Sequence, residues 1–196
     1  MCGRFTLRSS GESVAEAFGL PEAPDLFPRF NIAPGQPVAV VRQMPQAQDR
    51  QLAYLRWGLI PAWVDDPSIG DRLANARSET AATKPSFRRA FRSRRCLVVA
   101  DGFYEWQKIN GRKQPYFVGL QSDRLFGLAG LWERWEKHGE PIRAAELHAN
   151  RGGCLEVLAD PPRQVTFHAG RAFVEPIGVV GQPIVRGRAL LGRGER

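Results

Sequence analysis

The sequence predicts an α+β fold: a single β-rich domain with a mainly antiparallel sheet, short helices and long loops. Three observations carry that expectation. Asn110-Gly111 separates two short segments of strand character, and this dipeptide supplies the positive φ angles that a tight hairpin turn requires. Cys96 to Ala100 is an unbroken apolar run of strand length, the mark of a strand buried on both faces. Proline and glycine at Pro21, Pro24 and Pro28 and at Gly58, Pro61 and Pro67 mark long loops.

The elements follow in order. Glu12 to Phe18 sets Val14, Ala17 and Phe18 on one face of a short helix. Pro21, Pro24 and Pro28 enforce an extended loop, because proline removes an amide donor and restrains the residue before it. Val38–Arg42 and Leu52–Trp57 read as strands, and Gly58, Pro61 and Pro67 punctuate a long loop carrying Trp63. Ser86–Arg94 reads as a short basic helix. After the Cys96–Ala100 strand, Asp101-Gly102 makes a bend. The hairpin then joins Glu105–Lys108 to Lys113–Leu120, and Leu125–Trp135 is a further apolar, aromatic strand.

Composition narrows the function classes. Hydrophobic residues make up 43%, enough for a core. No stretch reaches the ~18–20 apolar residues that span a bilayer, and no apolar leader follows a basic start. A cytoplasmic, nucleoid-associated monomer is expected, with no membrane partner. The 28 basic and 20 acidic residues leave a net charge of +8. Of the basic residues 24 are Arg, whose planar fork suits phosphate. A GC-rich gene explains the preference for Arg over Lys equally well. Cys2, Cys96 and Cys154 form neither a disulfide framework nor a Cys-x-x-Cys site, and His138, His148 and His168 lack metal-ligand spacing. No phosphate-cradling or dinucleotide-binding glycine motif is present. No cofactor and no metal are expected.

Five features carry chemistry. Cys2 becomes N-terminal once Met1 is removed. It then has a free amine (pKa ~7.7) and a thiol (pKa ~8.5) on adjacent carbons. An aldehyde can condense with the amine, and the thiol can close a five-membered thiazolidine on the imine carbon. An internal cysteine cannot do this; the alternative for Cys2 is a small buried residue. Trp57 and Trp63 either stack on unpaired bases or plug the ends of a sheet. Asn75 and Arg77, two apart in an extended segment, share a face that can hold a phosphate or sugar oxygen; the alternative is a helix start. Lys84 to Arg95 holds six cations and no acid, either a phosphate footprint or a solvated helix face. Glu105, between Tyr104 and Trp106, is either a proton shuttle with a pKa raised by desolvation or one half of a cross-strand ion pair with Lys113 or another base.

Taken together and in order, the motifs are specific. Met-Cys-Gly-Arg-Phe at the start, Phe-Asn-Ile-Ala-Pro-Gly-Gln at 30–36, Arg-Trp-Gly-Leu-Ile-Pro-Ala-Trp at 56–63, Asn-Ala-Arg-Ser-Glu-Thr at 75–80, Arg-Arg-Cys-Leu-Val-Val-Ala-Asp-Gly-Phe-Tyr-Glu-Trp at 94–106 and Gly-Leu-Ala-Gly-Leu-Trp-Glu at 127–133 resemble the SOS-response-associated peptidase (SRAP) family of abasic-site processing proteins. The resemblance covers residues 1–137. It implies a covalent thiazolidine crosslink between Cys2 and abasic sites in single-stranded DNA, with Met1 removed by self-processing or an aminopeptidase. It implies that Glu105 transfers protons and that Asn75 holds Cys2 and the opened sugar. Arg4 and Arg77 match phosphate-binding positions, and Pro34 and Trp63 lie in segments that line the DNA groove.

One departure stands out. The family's Thr-rich strand and following His-x-Arg-Met-Pro segment, whose His completes the site, have no counterpart here. Residues 151–196 contain no Lys, Tyr or Trp, and Val174–Val185 is broken by Pro176, Gly178, Gly181 and Pro183. The expected division is therefore a SRAP-like part at 1–142 and a divergent segment at 143–196, the mark of either a disrupted reading frame or true divergence. Three other functions stay open: a cysteine peptidase acting on its own N-terminus or other chains, a non-covalent single-strand binder, and an inactive copy.

Overall fold

The structure is a computed structural model. It describes residues 3–44, 47–120, 124–137, 139–149, 157–158 and 172–176, with 148, 149, 157, 158 and 172–176 described through the backbone alone. Among the described residues, twelve strands and three short helices follow in the order β1 (Arg4–Leu7), α1 (Gly11–Phe18), β2 (Arg29–Ile32), β3 (Pro37–Gln43), β4 (Arg50–Trp57), β5 (Asn75–Arg77), α2 (Ser78–Ala81), α3 (Arg88–Ser93), β6 (Arg95–Ala100), β7 (Gly102–Ile109), β8 (Arg112–Leu120), β9 (Phe126–Trp135), β10 (Ile142–Ala149), β11 (Val157–Leu158) and β12 (Ala172–Pro176). A 3₁₀ turn at Pro67–Arg72 lies in the loop after β4.

Two sheets divide the strands. The five-stranded sheet has the order β12-β8-β7-β1-β2, and every pair in it is antiparallel. The seven-stranded sheet has the order β11-β9-β6-β3-β4-β10-β5. Here β10 runs parallel to β4 and β5 and antiparallel to β9. The β9–β10 pairing closes a ring through β6, β3 and β4, and closure removes the open edges that invite association.

Local sequence explains the predicted elements. Helix α1 starts where the Ser10 side chain accepts from the Ser13 amide at 3.3 Å, and it stops at Gly19, whose φ of 63° suits glycine. Its buried face carries Val14 and Phe18. The hairpin has Asn110 at φ 48° and Gly111 at φ 80°, as its turn type demands. Helix α3 is anchored by buried Phe87 and Ala90 and exposes Arg88, Arg89 and Arg92. The main core gathers Val38, Val40, Val98 and Leu128 of the closed sheet with Phe5 of β1 and Trp57 of β4.

The chain stays in the sheet through Ala149, past the composition change. Residues 142–147 of β10 pair with β9, and Ala144, Ala145, Glu146 and Leu147 are all buried. Glu146 is accommodated by a hydrogen bond from the Ala76 amide to its Oε2 at 2.7 Å. Most of the 143–196 segment, including Cys154, His168 and Ile177–Val185, lies outside the described residues.

Candidate active site and nucleic-acid face

The site is built where β1 lies against β7. The ladder pairs Arg4 with Tyr104, Phe5 with Phe103 and Thr6 with Gly102. The antiparallel register puts Arg4, the first residue of β1, opposite Tyr104, the neighbour of Glu105. Cys2 itself lies outside the described residues. Phe5 fixes the depth of β1: its side chain is fully buried, with its ring 5.2 Å from that of Trp57. Gly102 permits the close packing of β7 on β8, since a Cβ there would stand 2.0 Å from the Phe117 ring.

Glu105 is half-buried, and its Oε1 is buried with no hydrogen-bond partner among the described residues. Burial pushes its carboxyl above the ordinary carboxylate range, with a backbone hydrogen bond at Trp106 pulling the other way. Lys113 does not face it: Lys113 pairs with Lys108, while Glu105 stands opposite Tyr116. The register thus sets Lys113 aside as its partner, and the strand presents a partly desolvated carboxyl.

Asn75 opens β5, beside Leu147 of β10, and Arg77 closes the strand with its side chain exposed. The two share one extended segment, and α2 begins directly after it at Ser78. Trp57 ties this segment to β1. Its ring packs on Phe5, and its indole N–H donates to the Ala74 carbonyl at 2.8 Å. Trp57 is thus structural, while Trp63 is 58% exposed, its carbonyl held by Lys137 at 2.8 Å. The Arg4 guanidinium donates from Nη1 to Asn31 Oδ1 at 2.7 Å. Pro34 is exposed in the turn between β2 and β3, before Gly35 at φ 85°.

The basic run splits in two. Lys84, Arg88, Arg89, Arg92 and Arg95 are exposed. Arg94 instead pairs through Nη1 with Glu133 at 2.5 Å, with its guanidinium 5.6 Å from the centroid of the Trp132 ring. Phe30 and Trp106 add exposed aromatic surface, at 61% and 43%. Among the described residues no cluster of His, Cys, Asp and Glu has the makings of a metal site, and no helix is long and apolar enough to cross a membrane.

Sequence reasoning missed Asp101. Read as a bend residue, it is 3% exposed and takes hydrogen bonds from Thr6, Arg8 and Ser9. An aspartate directly after a continuous apolar strand was the available signal, because a carboxylate there must find donors.

Comparison with known proteins places the chain. The profile of the family described as SOS response associated peptidase (SRAP) matches residues 1–149. The abasic site processing protein YoqW of Bacillus subtilis is 42% identical over 148 residues, a match covering 72% of this chain and 65% of the relative. The abasic site processing protein YedK of Escherichia coli is 34% identical over 124 residues, covering 60% of this chain and 53% of the relative. The chain thus spans about two thirds or less of the length of these relatives. A crystal structure of a protein from Bordetella bronchiseptica superimposes with a TM-score of 0.74 at 22% identity, over 91% of this chain and 100% of that one, and shows the same fold. The chain belongs to the SRAP family.

Proposed function

We propose that this SRAP-family chain recognises abasic sites in single-stranded DNA and traps them as a covalent thiazolidine on Cys2. The observation that supports the reading is the β1–β7 register, which sets Arg4, two residues after Cys2 in the sequence, opposite Tyr104, the neighbour of Glu105. The names of the relatives, abasic site processing proteins, supply the lesion.

The steps balance as follows. Hydrolysis of the Met1–Cys2 peptide bond frees the Cys2 amine. That amine adds to the C1 aldehyde of the ring-opened sugar, and loss of one water gives an imine. Glu105, with its raised carboxyl, donates the proton that carries the hydroxyl away as water. The Cys2 sulfur then adds to the imine carbon; the S–C bond forms and the thiol proton goes to nitrogen. Asn75 orients the amine and the opened sugar. Arg4 and Arg77 take phosphates, and Pro34 and Trp63 line the path of the strand, with Trp63 as a stacking platform.

The exposed arginines of α3 and the exposed Trp63 favour non-covalent single-strand binding as a second reading. One experiment separates the two. Wild type and Cys2→Ala are mixed with single-stranded DNA holding one abasic site and run on a denaturing gel. A shifted band from wild type and none from Cys2→Ala is the expected result. A band of equal strength from both contradicts trapping by Cys2, and binding without any band leaves the non-covalent reading.

A further inference from the structure

We propose that Asp101 is the positioning residue of this site: it sets the register of β1 against β7, the strand that carries Glu105. The proposal rests on the crosslinking reading above and adds to it a residue that does not touch the DNA.

Asp101 sits at the corner where the chain leaves β6 of the closed sheet and enters β7 of the other. Its carboxylate gathers one stretch of chain. Oδ1 accepts from Thr6 Oγ1 at 2.5 Å and from Arg8 Nε at 3.2 Å. Oδ2 accepts from the Arg8 amide at 2.5 Å, the Ser9 amide at 3.1 Å and Ser9 Oγ at 3.2 Å. The Asp101 amide donates back to the Thr6 carbonyl at 3.1 Å. The Arg8 guanidinium, drawn in by this contact, lies 5.3 Å from the centroid of the Phe117 ring on β8. One side chain thereby fixes the end of β1 to the start of β7 and, through Phe117, to β8.

The strand needs such a fixture. β1 has four residues, and its pairing with β2 contains a register irregularity between Phe5 and Leu7. Its ladder with β7 is confined to Arg4, Phe5 and Thr6. A short ladder specifies register weakly. A slip of two residues keeps the same faces in and out and moves the chain by ~7 Å. Such a slip leaves Phe5 and Thr6 on their proper faces but shifts Arg4, and the residues joined to it, by that distance relative to Glu105. The Asp101 carboxylate opposes the slip, because its donors lie on both sides of Leu7 and match only one register.

A double-mutant cycle tests the role. The rate of adduct formation on abasic single-stranded DNA is measured at saturating DNA for wild type, Asp101→Asn, Glu105→Gln and the double variant. Each rate is normalised to folded, Met1-free protein. Misplacement of a reacting group costs roughly 10–100-fold, so Asp101→Asn is expected to slow wild type by about that factor. In the E105Q background it is expected to slow the reaction less than about twofold, because its effect passes through the amine–Glu105 geometry. Non-covalent affinity for the DNA changes at most by the contact of Arg4, which moves with β1, and saturating DNA removes that change from the rates compared. Thr6→Val, which removes one donor and keeps the side-chain shape, follows the same pattern with a smaller factor and serves if Asp101→Asn does not fold. An equal factor in both backgrounds overturns the positioning role and leaves the crosslinking reading in place. Absence of adduct from wild type overturns the crosslinking reading, and the role of Asp101 with it.

Discussion

In the closed sheet, β3 buries Val38, Ala39, Val40 and Val41 in succession, and β6 buries Val98, Val99 and Ala100. In the five-stranded sheet, β7 is buried at Gly102 and Phe103, half-buried at Tyr104 and Glu105, and exposed from Trp106 onward. Consecutive burial means that both faces of a strand are covered; a gradient along one strand means that the strand leaves the core. The closed sheet therefore supplies most of the buried apolar surface, and the other sheet carries groups outward to where a polymer can lie. Glu105 stands at the turning point of that gradient, where a carboxyl is dry enough to have a raised pKa and wet enough to exchange protons.

Two tryptophans of one motif give the sharpest way to break this comparison. Trp57→Ala is expected to cost about 3–5 kcal/mol of stability, as for large buried aromatics generally. It also cuts the link between Phe5 and Ala74. Trp63→Ala is expected to stay within about 0.5 kcal/mol of wild type in stability, and to weaken single-stranded DNA binding by about 1–3 kcal/mol. Denaturant unfolding and a binding titration on the same two variants check both halves. Comparable stability losses would show that the exposed face is not set apart from the core.

A smaller effect is expected from the basic helix. Each exposed arginine that neutralises a phosphate contributes about 0.7 to the slope of log affinity against log salt on a single strand. Arg88→Ala with Arg92→Ala should lower that slope by about 1.4 if both meet phosphates, with little change in unfolding. Arg94→Ala should act the other way: it strands the buried Glu133 carboxylate and costs stability, about 1–3 kcal/mol. A slope unchanged by the double variant would remove α3 from the DNA path.

The smallest expected effect concerns Glu105. Its carboxyl is raised in the folded chain, so folding favours the protonated form. The stability tied to that proton is fully present below the ordinary carboxylate range and is lost as pH rises through the folded value. Glu105→Gln should therefore match wild type at low pH and become the more stable of the two toward neutral pH. The difference is expected to stay below about 1 kcal/mol, because the side chain keeps contact with solvent. Unfolding curves at several pH values check it, and a difference that shrinks with rising pH would contradict the assignment.

Residues buried by a continuous or strictly placed pattern were legible in the sequence. The apolar run ending at Ala100, the Asn110-Gly111 turn and the Val14–Phe18 face each state their structure locally. β1 was not, and β5 was legible only as one of two alternatives, because strands of four and three residues carry too little periodicity and are held by partners far along the chain. β10 was obscured for another reason. Its Ala-Ala-Glu-Leu stretch lacks β-branched residues, and only the covering strands β9, β4 and β5 make it a strand. In the site, Asn75, Arg77, Trp63 and Glu105 could be picked out from sequence as candidates. Asp101 could not be assigned a role, since the donors that meet it come from Thr6, Arg8 and Ser9.

The intact mass of the species formed with abasic single-stranded DNA tests the central claim most directly. Thiazolidine trapping predicts the protein without Met1 plus the DNA minus one water, a mass that borohydride leaves unchanged and that Cys2→Ala does not yield. An adduct that gains two hydrogens on reduction would be an open imine, and one that retains Met1 would place the bond on another amine; either contradicts the account.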